Sequence, residues 1–154
     1  MITFQSKTIQ LHIAKEIDGE YFYLILKRSE SERIYPGIWQ VVTGTIEDGE
    51  KAIDAAKREM IEETALQFTK FWTIPYVTYY FDPYKDVANA SPVFGALVNR
   101  NSNVILSEEH SDYKWERFDN GFDLLSLPSH KQAMKIFLDF CLNNTNQSLF
   151  EYKA

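Results

Sequence analysis

The chain has one cysteine among its 154 residues. A lone thiol cannot build a disulfide framework, and a reducing, cytoplasmic compartment fits. Cys141 falls in an apolar helical pattern and reads as core. Basic residues are also in short supply, with 16 Lys and Arg against 22 Asp and Glu and a net charge of −6. That balance argues against a polymeric nucleic-acid partner, which would need a basic stripe. It leaves a nucleotide substrate open, because bound metal can neutralise phosphates locally. No apolar run approaches the roughly 18 residues of a membrane span, so no membrane partner is expected. Met1–Lys7 lacks the charged-then-apolar pattern of a signal peptide. The three histidines, His12, His110 and His130, are scattered without metal-ligand spacing, which argues against zinc.

What is present is the composition of a soluble globular protein, 45% apolar and 25% charged, of one domain's length. The expectation is a single domain over 1–154, with a polar tail from about residue 143 that frays. Residues 8–16 alternate and read as a strand, Asp18-Gly19 as a turn, and Tyr21–Leu26 as the returning strand. The second strand is nearly all apolar, so both its faces should be covered. It ends at Lys27-Arg28, and a polar loop over 29–37 closes on Pro36-Gly37. Ile38–Val42 reads as a short strand leading to Gly44, followed by a helix whose stripe is Ala52, Ile53, Ala56 and Met60. Further strands are expected over Phe68–Phe81, interrupted near Pro75, then at Val93–Val98, at Val104–Leu106 and from Tyr113. A last helix starts at Ser129 or His130 with the stripe Ala133, Ile136, Phe137, Phe140 and Cys141. By itself this pattern defines α/β or α+β.

The helix after Gly44 carries the chemistry. At about 100° per residue, Glu59, Glu62 and Glu63 share a sector of roughly 100°. Three carboxylates so placed repel one another, and a divalent cation removes the repulsion. Hard oxygen donors suit Mg²⁺ or Mn²⁺. From Gly44, five residues intervene before Glu50 and seven more before Arg58-Glu59, followed by Met60-Ile61-Glu62-Glu63-Thr64-Ala65-Leu66. This series resembles the Nudix box, G-x5-E-x7-R-E-U-x-E-E-x-G-U with U apolar. Only the second glycine departs, replaced by Ala65. A glycine there ends the helix in a left-handed turn. With alanine, the chain is expected to leave the helix by another local route.

The resemblance implies a Nudix-type α/β/α sandwich with a mixed central sheet. It implies a metal site at Glu59, Glu62 and Glu63, with Glu62 a direct or water-mediated ligand, and an ion pair between Glu50 and Arg58 that orients the catalytic turn. Flanking segments resemble the bacterial Nudix branch that cleaves dihydroneopterin triphosphate and dATP: Trp39-Gln40-Val41-Val42-Thr43-Gly44 before the box, Glu109-His110 ahead of Tyr113-Lys114-Trp115, and Gln132-Ala133 in the last helix. Glu109 is therefore a candidate metal ligand or general base outside the box, a role that other branches give to a box glutamate. Gly44 would let backbone approach substrate phosphates. Lys27 and Arg28 could hold phosphates or simply end a strand in water. Trp39 could stack on a base or pack beneath the catalytic loop.

The activity so implied is Mg²⁺-dependent (or Mn²⁺-dependent) hydrolysis of a small-molecule nucleoside triphosphate, or similar triphosphate, to monophosphate and pyrophosphate. The same chemistry on dinucleoside polyphosphates, nucleotide sugars or capped RNA is the alternative. A non-catalytic nucleotide-binding module is a third reading, disfavoured by the full set of box carboxylates. Nudix proteins are often dimers, so a homodimer is allowed.

Overall fold

A computed structural model describes residues 1–143 and 147–153. Eight strands form one mixed sheet, covered by a helix on one face and helices on the other, an α/β/α sandwich. The strands are β1 (Thr3–Gln5), β2 (Thr8–Ile17), β3 (Glu20–Arg28), β4 (Trp39–Gln40), β5 (Val42–Thr45), β6 (Phe68–Asp82), β7 (Val87–Val98) and β8 (His110–Glu116). The helices are α1 (Ala52–Thr64), α2 (Phe118–Leu124) and α3 (Pro128–Ile136).

Alternation in β2 drives the layering. Ile9, Leu11 and Ile13 join the core under α1, together with Leu24, Leu26, Val42, Ala55, Ala56 and Met60. Ala14 faces the other way, into a core with Tyr23, Trp72, Ala133, Met134 and Phe137. Asp18 and Gly19 both have positive φ, 51° and 82°, the backbone of a type I′ hairpin turn. β2 and β3 pair only from Ala14 to Ile17 and then part. The chain from Trp39 to Thr45 fills the fork: β4 pairs with β3, while β5 pairs with β2 through Leu11↔Val42 to Thr8↔Thr45. The expected single strand over Ile38–Val42 is thus two short strands, because the chain changes partner at Val41. This fork delivers Gly44 beneath α1.

Other expectations need correction. Ala65 does adopt the left-handed conformation, φ 58° and ψ 15°, and its N–H donates to Ile61 O at 2.9 Å. The helix end keeps its glycine-type geometry and bears a strain of about 1 kcal/mol. Val104–Leu106 forms no strand. The exposed C-terminal carbonyls of α1 capture this segment instead, with Ile105 N–H on Thr64 O at 2.9 Å and Ser107 N–H on Glu63 O at 3.3 Å. β6 runs on past Pro75, which sits in a register shift between Thr73 and Val77, where a missing donor costs nothing. Beyond α3 the helix widens into a π turn over Phe137–Leu142. That extra residue per turn rotates the buried stripe, so Leu142 is buried and Phe140 is 46% exposed.

The tail expected to fray from about 143 includes residues 144–146 and 154, outside those described. Residues 147–153 are pinned to the edge of β6: Thr73 N–H donates to Phe150 O at 3.0 Å, Tyr152 N–H to Phe71 O at 2.6 Å, and Trp72 Nε1–H to Gln147 O at 3.0 Å. Lys57 Nζ caps the Tyr152 ring, 4.1 Å from its centroid. No helix among the described residues is long and apolar enough to cross a membrane.

Candidate active site

α1 lies flat on the sheet because Ala55 and Ala56 offer no bulk. One consequence is that Glu59 and Glu63, a turn apart, are carried inward, to 9% and 2% exposure. Glu59 lies directly over Gly44: a Cβ built on Gly44 would stand 2.3 Å from Glu59 Cδ. What the glycine admits at close range is therefore the box glutamate itself.

Arg58 organises the turn. Its Nε and NH2 donate to the two carboxylate oxygens of Glu50, each at 2.9 Å. NH2 also donates to Thr45 O at 2.9 Å, and NH1 to Glu59 at 2.7 Å and Glu62 at 3.2 Å. One guanidinium thus ties together the strand leaving the fork, the loop before α1 and two box acids. A planar fork with five donors suits this task where an ammonium would not. Those bonds, with the Glu47 N–H on the same carboxylate, hold Glu50 down to a pKa of about 2.

The opposite holds for the acids that face inward. Burial raises Glu59, with charge from Glu62 and Glu109 adding to it and Arg58 opposing. Burial raises Glu63 well above the usual carboxylate range, and the charges of Glu109 and Glu59 push it further. Glu109 therefore reaches the same region from outside the box. Its position is fixed by the residue after β3: Ser29 N–H donates to Glu109 O at 2.8 Å, and Ser29 Oγ to Glu108 O at 2.7 Å. Glu62 is exposed and is held by Arg58.

The substrate candidates divide. Arg28 does not end its strand in water. Nε donates to Ile34 O at 2.6 Å and NH2 to Glu32 at 3.3 Å, bracing the β3–β4 loop, while its charge reaches Glu63. Lys27, paired with Asp112 in register and with Trp39 across β4, is half-buried. Trp39 packs against the α3-side core, its backbone bonded to Ser126, with Lys114 Nζ 5.2 Å from the ring. Two surface hollows, of about 390 and 300 Å³, lie elsewhere, around Leu66–Thr69 and around Tyr21 and Phe118.

Three contributors escaped the sequence reading. His110 is buried beside Glu63, Gln40 is buried against the far side of the His110 ring, and Ser29 clamps the Glu109 loop. A glutamine inside an apolar strand was the available signal for Gln40. Gln40 meets His110 across 70 positions and Ser29 meets Glu108 across 79.

A mixed sheet gripping a Gly44–Leu66 loop and helix, with an arginine-braced glutamate set, defines a Nudix fold and box. Residues 13–139 match the family described as NUDIX domain, and the chain belongs to that family: it is a Nudix hydrolase. Among curated relatives, the nucleoside triphosphatase NudI of Salmonella agona (strain SL483) is 26% identical over 128 residues, 77% of this chain and 91% of that protein. Among solved structures, the C. elegans Ap4A hydrolase binary complex superposes with a TM-score of 0.76 at 22% identity, covering 88% of this chain and 97% of that one. The E. coli dihydroneopterin triphosphate pyrophosphohydrolase gives 0.72 at 24%, covering 89% and 97%. At those identities the two structures speak for the fold.

Proposed function

We propose that this protein is a divalent-metal-dependent pyrophosphohydrolase of a small nucleoside triphosphate, or a similar triphosphate of the dATP or dihydroneopterin triphosphate type, releasing a monophosphate and pyrophosphate. The observation that carries the reading is Glu63. Its carboxylate is 2% exposed, faces Glu59 and Glu109, and leaves Oε2 without a hydrogen-bond partner. Mutually repelling acids at a buried point are stable only with a cation or a proton, and an all-oxygen donor set fits Mg²⁺ or Mn²⁺. Among the described residues no three such groups already close round one point.

Glu59, Glu63 and Glu109 would hold the metal, with Glu62 at its edge. A divalent ion there supplies neutralisation of the phosphate charge and acidification of the attacking water. The chain's own part is positional. Arg58 fixes Glu59 and Glu62 against the Thr45 strand. Ser29 and the α1 end fix the Glu109 loop, leaving Glu109 as ligand or as acceptor of the water's proton. Arg28 and Lys27, at the mouth of β3, are the candidate phosphate contacts, and Trp39 buttresses the strand carrying Gly44. The triphosphate assignment draws on the NudI relatives, whose name leaves open which phosphoanhydride is cut. A single domain, a cytoplasmic location and a homodimer complete the proposal.

The test is a panel of dNTPs, NTPs, dihydroneopterin triphosphate, dinucleoside polyphosphates and nucleotide sugars, with Mg²⁺ and with Mn²⁺. The highest kcat/KM on a triphosphate is expected. Turnover only of the linked dinucleotides or sugars would keep the chemistry and overturn the substrate class.

A further inference from the structure

Three buried polar atoms near the box lack partners among the described residues, Ser107 Oγ, Glu63 Oε2 and His110 Nδ1, and the last two are neighbours. Glu63 Oε2 and His110 Nδ1 are both unpaired, 3.9 Å apart, in side chains 3% and 0% exposed. On its far side the imidazole meets Gln40, whose Nε2 lies 3.0 Å from His110 Nε2. Gln40 is itself 4% exposed, on the strand that pairs with β3. With the Gln40 amide nitrogen turned to the ring, that nitrogen donates and the ring nitrogen it meets accepts. That places the ring's proton on Nδ1, the nitrogen 3.9 Å from Glu63 Oε2.

We infer that His110 is a positioning residue for Glu63: Gln40 fixes the ring tautomer, and Nδ1–H holds one carboxylate oxygen so that the other is presented to a cation. The inference rests on the proposed metal role of Glu63. His110 is well anchored for the task. Its N–H donates to Ser107 O at 3.2 Å, and its neighbour Glu109 is clamped by Ser29. The distance of 3.9 Å is too long for a hydrogen bond. Closing it takes under about 1 Å of movement in the Glu63 side chain, of the size expected when a cation draws the acids together. A carboxylate aimed by a buried donor is a pre-organised ligand, and outer partners of this kind typically matter by about 10–100-fold in metal affinity.

Two measurements test this. The first is nitrogen NMR of the histidine rings in metal-free protein. His110 is expected to show a protonated, pyrrole-type Nδ1 and an unprotonated, pyridine-type Nε2. The opposite tautomer would overturn the inference, because the ring would then offer Glu63 a lone pair. The second is Mn²⁺ titration followed by electron paramagnetic resonance, with thermal unfolding as a check on folding. An asparagine amide overlays the Nδ1 position and a glutamine amide the Nε2 position. His110→Asn should therefore stay within about threefold of wild type, while His110→Gln and Gln40→Met weaken binding by about tenfold or more. Equal loss in folded His110→Asn and His110→Gln would overturn the inference. A wild type that binds no Mn²⁺ would overturn the metal site itself, and the tautomer result, read without metal, separates the two failures.

Discussion

Gly44→Ala isolates the contact between the box loop and the box helix. The new Cβ would sit 2.3 Å from Glu59 Cγ and Cδ and 2.5 Å from Oε1, whereas ordinary contact begins near 3.4 Å. Glu59 must then retreat by about 1.1 Å, since the other side of the contact is backbone held in the β2–β5 ladder. Gly44 has no left-handed φ, so the substitution adds no torsional strain. The structural cost is overpacking, about 1–3 kcal/mol and toward the low end because a side chain can yield. At about 2–4 °C per kcal/mol, Tm falls by a few degrees. The functional cost is larger. A misplacement of about 1 Å in catalytic machinery is worth roughly 100-fold in rate. Steady-state hydrolysis and a thermal melt check both numbers. The decisive control is Gly44→Ala combined with Glu59→Ala. If the added methyl acts by displacing Glu59, the double variant is no slower than Glu59→Ala alone. A Gly44→Ala enzyme within about threefold of wild type, or a double variant slower by the full factor of roughly 100, would refute the reasoning.

Further predictions follow from the same geometry. Glu63 is raised by burial and like charge, so the metal-free native state holds its proton to higher pH than the unfolded chain does. Its contribution to stability is present at low pH and lost as pH rises from the ordinary carboxylate range through the raised value. Glu63→Gln should therefore stabilise the metal-free protein near pH 8 and abolish the Tm gain from Mg²⁺, a gain of about 5–10 °C at 100 times Kd, as scanning calorimetry will show. His130 is shifted the opposite way, to about 4 by burial. Its contribution is present above about pH 6.5 and lost as pH falls toward about 4, on the order of 3 kcal/mol, so His130→Leu should flatten the acid limb of a denaturation-midpoint series. Ala65→Gly relieves the left-handed strain at the end of α1 and should raise stability by about 0.5–1 kcal/mol in urea titrations without changing turnover. Arg58→Lys keeps the charge but loses the bidentate bond to Glu50 and the bond to Thr45 O. Hydrolysis should fall by about 100-fold with the fold intact by circular dichroism.

The box was legible because its chemistry is written in spacing. A helix period places Glu59 and Glu63 together, and the family pattern supplies Glu50 and Arg58. The strand alternation of β2 and the apolar β3 were legible for the same reason, since both faces of the sheet are covered. Contacts that cross the chain were not. Ser29 meets Glu108 across 79 positions, and Gln40 meets His110 across 70. No local pattern records either. Val104–Leu106 has strand-like composition, yet the Ile105 N–H goes to the open end of α1, as does that of Ser107 just beyond. The short α2 lacked enough turns for a period to show. Ala65 misled in a different way: propensity disfavours the left-handed turn by about 1 kcal/mol, and the packing of Leu66, 1% exposed in the core, outweighs it.

The measurement closest to the central claim is phosphorus NMR of the products formed from dATP and dihydroneopterin triphosphate with Mg²⁺, using wild type beside Glu63→Gln. Equal amounts of monophosphate and pyrophosphate from wild type, with a reaction slower by about 100-fold or more in Glu63→Gln, are predicted. Orthophosphate and a diphosphate as the products, or Glu63→Gln turning over at the wild-type rate, would contradict the account.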